Sequence, residues 1–166
     1  WVHGMVFPTP PAQVLAAGPD VVSHTCYLAY QAMERRPQTY RERSPVDPAL
    51  FAGRDNPVMA ALFRTMRERG ILLDPTLHVY DVVERLGRPF YCSLDLSARL
   101  TAQAHRAGVA LTAGTDAEAP WQAAYPSLFD ELELLVRRAG LAPPEAIRAA
   151  TRNGAVAAGQ GQTLGG

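Results

Sequence analysis

The chain has 166 residues, 48% of them hydrophobic and 19% charged, and its formal net charge at neutral pH is zero. That is the composition of one globular domain with a sizeable core. It carries no electrostatic footprint for nucleic acid or an anionic surface, and no apolar run approaches the ~20 residues of a membrane span.

In chain order, residues 1–6 form a short apolar run with His3 inside it, read as a first strand. A Pro-rich loop and a short helix over 12–17 follow, the helix ended by Gly18. Asp20-Val-Val-Ser-His24 reads as the second strand, and residues 27–47, rich in Arg, Pro and Tyr, as a long polar loop. Asp47-Pro48 and Asn56-Pro57 each set an N-cap residue before a proline. Met59, Leu62, Phe63 and Met66 then recur at helical spacing up to Gly70. Ile71-Leu-Leu-Asp74 is the third expected strand. Leu96, Leu100 and Ala104 line a helix that stops at Gly108, and residues 109–116 are the fourth strand and its exit. Ser127 with Asp130 reads as a capping box for a helix closing at Gly140. Pro143-Pro144 open a last helix that ends near Asn153-Gly154. Short apolar strands alternating with amphipathic helices predict βαβ units and a parallel sheet, buried on both faces.

Chemistry in such folds gathers outside the carboxyl ends of the strands. His3, His24, Asp74 and Asp116 fall at or near such ends, and Asp20 at the opposite one. Two imidazoles and a carboxylate on one rim make a plausible donor set for a divalent metal. Asp74 precedes Pro75 and reads mainly as a turn residue. His78, just past the third strand, is a candidate substrate contact, as is Tyr27 in the long loop. His105 sits near a helix C-terminus, where charge–dipole attraction accounts for it. Cys26 and Cys92 lie in no CxxC spacing and read as two ordinary thiols. All 16 basic residues are Arg, which excludes a Schiff-base or carboxylated Lys from this stretch. No glycine-rich phosphate loop is present.

His3-Gly-Met-Val-Phe-Pro, Asp20-Val-Val-Ser-His24-Thr and Gly114-Thr-Asp116-Ala, in this order, resemble the later strands of the amidohydrolase superfamily. The branch they resemble most is the imidazolonepropionase-like and Xaa-Pro dipeptidase group. Asp130-Glu-Leu-Glu-Leu-Leu and Pro144-Glu-Ala-Ile-Arg-Ala-Ala-Thr-Arg-Asn-Gly154 resemble the two helices that follow that family's last barrel strand. The resemblance implies a fragment of a (β/α)8 barrel, about strands five to eight, spanning residues 1–166 as the C-terminal half of a metal-dependent hydrolase. It implies His3, His24 and Asp116 as metal ligands, one or two divalent ions (zinc first), and Asp116 as general base and then acid on an amide-like C–N bond. The family's first-strand His-x-His pair and its bridging Lys or Glu are absent from these residues.

A full barrel takes about 250 residues, so the chain is expected to be a piece of something longer, inactive alone. The expected ligand is a small-molecule or dipeptide-like substrate, and the expected location cytoplasmic. The alternative is a non-catalytic half-barrel module that pairs through its open sheet edges with a separate N-terminal half or with another copy of itself.

Overall fold

The computed structural model describes residues 1–116 and 124–164. Three short strands, β1 (Val2–His3), β2 (Val21–Ser23) and β3 (Leu72–Asp74), form a parallel sheet in the order β1-β2-β3. The helices are α1 (Pro11–Ala16), α2 (Thr25–Ala29), α3 (Pro57–Arg69), α4 (Leu77–Arg85), α5 (Leu94–Arg106), α6 (Leu128–Arg137), α7 (Pro143–Arg148) and α8 (Gly154–Ala157). A π-helical turn, Ala149–Asn153, joins the last two. No described helix is long and apolar enough to cross a membrane.

The parallel sheet and its alternation with helices agree with the sequence pattern; the barrel does not. The expected fragment with strands five to eight is replaced by an open three-stranded α/β sheet. The fourth expected strand, 109–116, contributes one isolated parallel bridge, Leu73 to Leu111. Beyond it the chain turns past the Asp74 carboxylate. A Cβ at Gly114 would lie 2.5 Å from Asp74 Oδ1, so position 114 has no room for a side chain where the chain passes that carboxylate.

Local signals decide the helix boundaries. Asn56 Oδ1 accepts hydrogen bonds from Val58 N at 2.9 Å and Met59 N at 3.1 Å, and Pro57 needs no donor there. Gly70 closes α3 at φ +68°, a conformation costly for any residue with a Cβ. Met59, Phe63 and Met66 on its inner face are fully buried. Ser93 caps α5 through Leu96 N at 3.1 Å.

Three local expectations change. Ser127 does not cap α6 with its side chain; the reach-back bond occurs instead at α7, where Glu145 accepts from Ala142 N at 2.7 Å. The loop expected over 27–47 begins as helix α2, continued by a 3-10 turn at Tyr30–Ala32, so Tyr27 and Tyr30 are core residues. Helix α4 was not anticipated: its run Leu77-His-Val-Tyr80 looks like a strand exit in sequence, yet Leu77, His78 and Tyr80 all turn inward on helical spacing.

Cys26 and Cys92 are joined by a disulfide, not two free thiols, with Cα atoms 6.3 Å apart across a separation of 66 residues. The pairing follows from tertiary packing that spacing cannot announce: the next residues inward, Tyr27 and Tyr91, stack with ring centroids 4.8 Å apart. Those rings, with Tyr30, Tyr80 and Phe90, form an aromatic layer between α2 and the segment before α5.

Candidate functional site

The parallel register aligns the ends of all three strands. His3 pairs with Ser23 and Ser23 with Asp74, so three polar side chains stand in one row where each apolar run stops. Ser23 Oγ donates to Asp74 Oδ2 at 2.9 Å, and Trp1 Nε1 donates to Ser23 Oγ. Asp74 Oδ1 is buried without a hydrogen-bond partner. Burial raises the Asp74 pKa above its ordinary value, against the lowering effect of the Ser23 hydroxyl, the nearby Gly114 N–H and the Thr112 hydroxyl, and the negative charge of Asp116 adds a little to the rise.

His24 follows β2 directly and Thr76 stands two residues past the end of β3, and both adopt positive φ, +66° and +56°. Such conformations cost free energy for residues with a Cβ and persist where the surroundings fix them. Here the fixing contacts are mutual. His24 N donates to the Asp74 carbonyl at 2.9 Å, and His24 Nδ1 lies 2.8 Å from Thr76 Oγ1. Thr76 Oγ1 in turn donates to the Pro75 carbonyl at 2.7 Å. With its proton committed there, Thr76 Oγ1 accepts from Nδ1–H, which leaves the Nε2 lone pair of His24 free. Burial, then the positive charges of His3 and Arg43, lower the His24 pKa to about 4, so the ring is neutral at pH 7. A neutral imidazole with an orienting partner on Nδ1 is the form that ligates metals.

Asp116 also has positive φ, +48°. Its Oδ2 lies 3.6 Å from His24 Nε2 and its side chain is 56% exposed, so it exchanges protons freely with solvent. Burial moves its pKa up, and His3 pulls it down. The His3 ring meets His24 edge-on at 4.9 Å between centroids. His3, His24, Asp74 and Asp116 line one cleft of about 320 Å³ together with Trp1 and Ser23.

Two neutral-capable imidazoles, a carboxylate and a buried unpartnered carboxylate oxygen suit a divalent cation by donor type. Among the described residues, however, no three His, Cys, Asp or Glu side chains are assembled as a ready-made ligand set.

The other sequence candidates lie elsewhere. His78 is buried on α4, its Nδ1 3.8 Å from Asp130 on α6 and without a hydrogen bond. His105 meets Glu145 of α7 at 3.2 Å. Neither lines the cleft. Tyr27 does border the site, stacked on the His3 ring at 5.5 Å. Ser23, Asp74 and Thr76 are the participants that sequence reasoning undervalued. The available signal was positional: Ser23 and Asp74 each close an apolar run at the same offset, Val21-Val22 and Leu72-Leu73.

No protein-family model matches the chain, and no curated protein matches it. Among solved structures, the crystal structure of A. niger ochratoxinase is similar in fold, with a TM-score of 0.58 at 23% sequence identity. The match covers 93% of this chain and 27% of the ochratoxinase chain, so the residues described here correspond to about a quarter of that protein's length.

Proposed function

We propose that this chain supplies part of the active site of a hydrolase of the amidohydrolase type, acting on an amide-like C–N bond. The observation that carries the reading is His24. It is buried and neutral, its Nδ1–H is bound to Thr76, its free Nε2 faces Asp116, and its ring meets His3 edge-on in one cleft at the carboxyl ends of the strands. The ochratoxinase likeness supports it at the level of fold.

In this reading His3, His24 and Asp116 contribute to holding a divalent cation, zinc by donor type. A cation bound there would supply Lewis acidity toward water and a substrate carbonyl. The chain's own residues do the rest. Asp116 takes a proton from the attacking water and returns it to the departing amine, a shuttle suited to an accessible carboxylate whose pKa is raised. Thr76 keeps His24 in one tautomer and one orientation. The buried Asp74, held by Ser23, keeps a carboxyl beside these groups in the same cleft.

Asp116→Asn in the intact protein is expected to lower turnover of amide and dipeptide substrates by about 100-fold or more, the span general-base removal commonly produces. Metal content, read by elemental analysis, should remain. Full activity in this variant would remove Asp116 from the chemistry.

A further inference from the structure

Thr76 stands at the N-cap position of α4 but does not cap it. Asn56 and Ser93, its counterparts at α3 and α5, have extended backbones and turn their side-chain oxygens onto their own helices. Threonine is able to cap in the same way. Thr76 instead has φ +56° and ψ +47°, a left-handed conformation that is strained for a β-branched residue. Its hydroxyl is committed elsewhere, to the Pro75 carbonyl and to His24 Nδ1.

The amides that Thr76 leaves open are taken by another element. Leu77 N donates to Glu131 Oε1 at 3.1 Å and His78 N to Glu131 Oε2 at 2.7 Å, from the first turn of α6. These are the first two amides of α4, and the second is one that an N-cap side chain ordinarily receives. Glu131 is fully buried, whereas Asp130 and Glu133 on the same helix are exposed. Burying a carboxyl group is costly unless its oxygens are matched, and the match here is to the two donors that directly follow Thr76. One hydroxyl oxygen cannot both cap α4 and fix the tautomer of His24. Glu131 satisfies the helix from outside, so the Thr76 hydroxyl stays with the imidazole.

We infer that Glu131 is a positioning residue for the candidate site. As a cap supplied to α4 by α6, it keeps Thr76 in its left-handed conformation and thereby holds His24 with its proton on Nδ1 and its Nε2 lone pair toward Asp116. Glu131 does not itself line the cleft, whereas Thr76 and His24 do. Its influence runs through the backbone of residues 76–78. The bearing of this on turnover rests on the hydrolase reading above; the contacts do not.

The test is the tautomer of His24, read from imidazole nitrogen resonances of the intact protein at neutral pH. Divalent metal is first removed by chelator, so that only Thr76 decides where the proton sits. The wild type is compared with Glu131→Gln, Thr76→Val and the double variant. The wild type should hold His24 as Nδ1–H. Glu131→Gln keeps the shape but turns an NH2 group toward one of the two amides. It should shift the tautomer ratio toward Nε2–H by about fivefold or more, the span of one net hydrogen bond. Thr76→Val should shift it at least as far, and Glu131→Gln should add nothing in the Thr76→Val background. A wild type with His24 as Nε2–H overturns the assignment without reference to any variant. A Glu131→Gln protein that unfolds more readily but keeps the wild-type tautomer also overturns it, and reduces Glu131 to a clamp between α4 and α6. So does a shift that persists undiminished in the Thr76→Val background, since the effect then bypasses Thr76. A Glu131-dependent tautomer in a protein that hydrolyses no amide supports the positioning role and removes the hydrolase reading. A tautomer indifferent to Glu131, with amide turnover that Asp116→Asn abolishes, does the reverse.

Discussion

Gly114 is the residue at which the sheet and the site meet. A Cβ there would fall 2.5 Å from Oδ1 and 2.8 Å from Oδ2 of Asp74, a carboxylate that is buried and tied to Ser23. Neither partner has room to yield. Gly114→Ala is expected to lower stability by about 1–3 kcal/mol, the usual cost of overpacking, measurable by denaturant titration. It should also lower turnover beyond what the stability loss explains, because Asp116 follows two residues later. A variant with wild-type stability would mean that Asp74 rotates away. His3, His24 and Asp116 stood out as candidates in the sequence because polar residues within or at the end of short apolar runs are conspicuous. Asp74 was legible only as a turn former, because its burial, its bond to Ser23 51 positions earlier and its approach to Gly114 are products of register.

Among the elements, α4 and α6 are joined by Glu131, which accepts from Leu77 N at 3.1 Å and His78 N at 2.7 Å at the start of α4. Burial raises its pKa from 4.5 to about 8, against the lowering effect of those two backbone donors, with the charge of Asp74 adding to the rise. Between 4.5 and 8 the folded chain therefore holds a proton that the unfolded chain has released. The associated stabilisation is complete below 4.5 and is lost as pH rises through 8. Thermal unfolding of the wild type should show Tm falling across that interval, apart from the contributions of other groups. Glu131→Gln should flatten this part of the profile. It should also cost about 1–3 kcal/mol at acid pH, because its amide can accept from only one of the two backbone donors. An unchanged slope would show that Glu131 is ionised in the fold. Helices α3 and α5 were readable from caps and spacing. Helix α4 was hidden because it has no side-chain cap of its own: its first donors are satisfied by α6, about fifty positions later.

For the whole molecule, the Cys26–Cys92 link closes a loop of 66 residues that contains α3, β3 and α4. Constraining the unfolded chain over a loop of that length is worth about 4 kcal/mol in the chain-entropy description. Reduction, or a Cys26→Ala/Cys92→Ala double variant, should lower Tm clearly while leaving the helical circular-dichroism signal at low temperature. An unchanged Tm together with two titratable thiols would mean that the bridge does not form. At this scale the sequence conveyed alternation but not extent. It placed a strand at 109–116 because an apolar run before a Gly-Thr-Asp turn is what a strand looks like, whereas the structure keeps only the parallel bridge of Leu73 to Leu111.

The row His3–Ser23–Asp74 has one more implication. The three residues meet because three short strands are in phase, and β1 contributes only two residues to that agreement. A shift of β1 by a single position would take the His3 imidazole out of the row with Ser23 and Asp74, because side-chain direction inverts at every step along a strand. The chemistry of this fold is thus held by parity rather than by proximity in sequence.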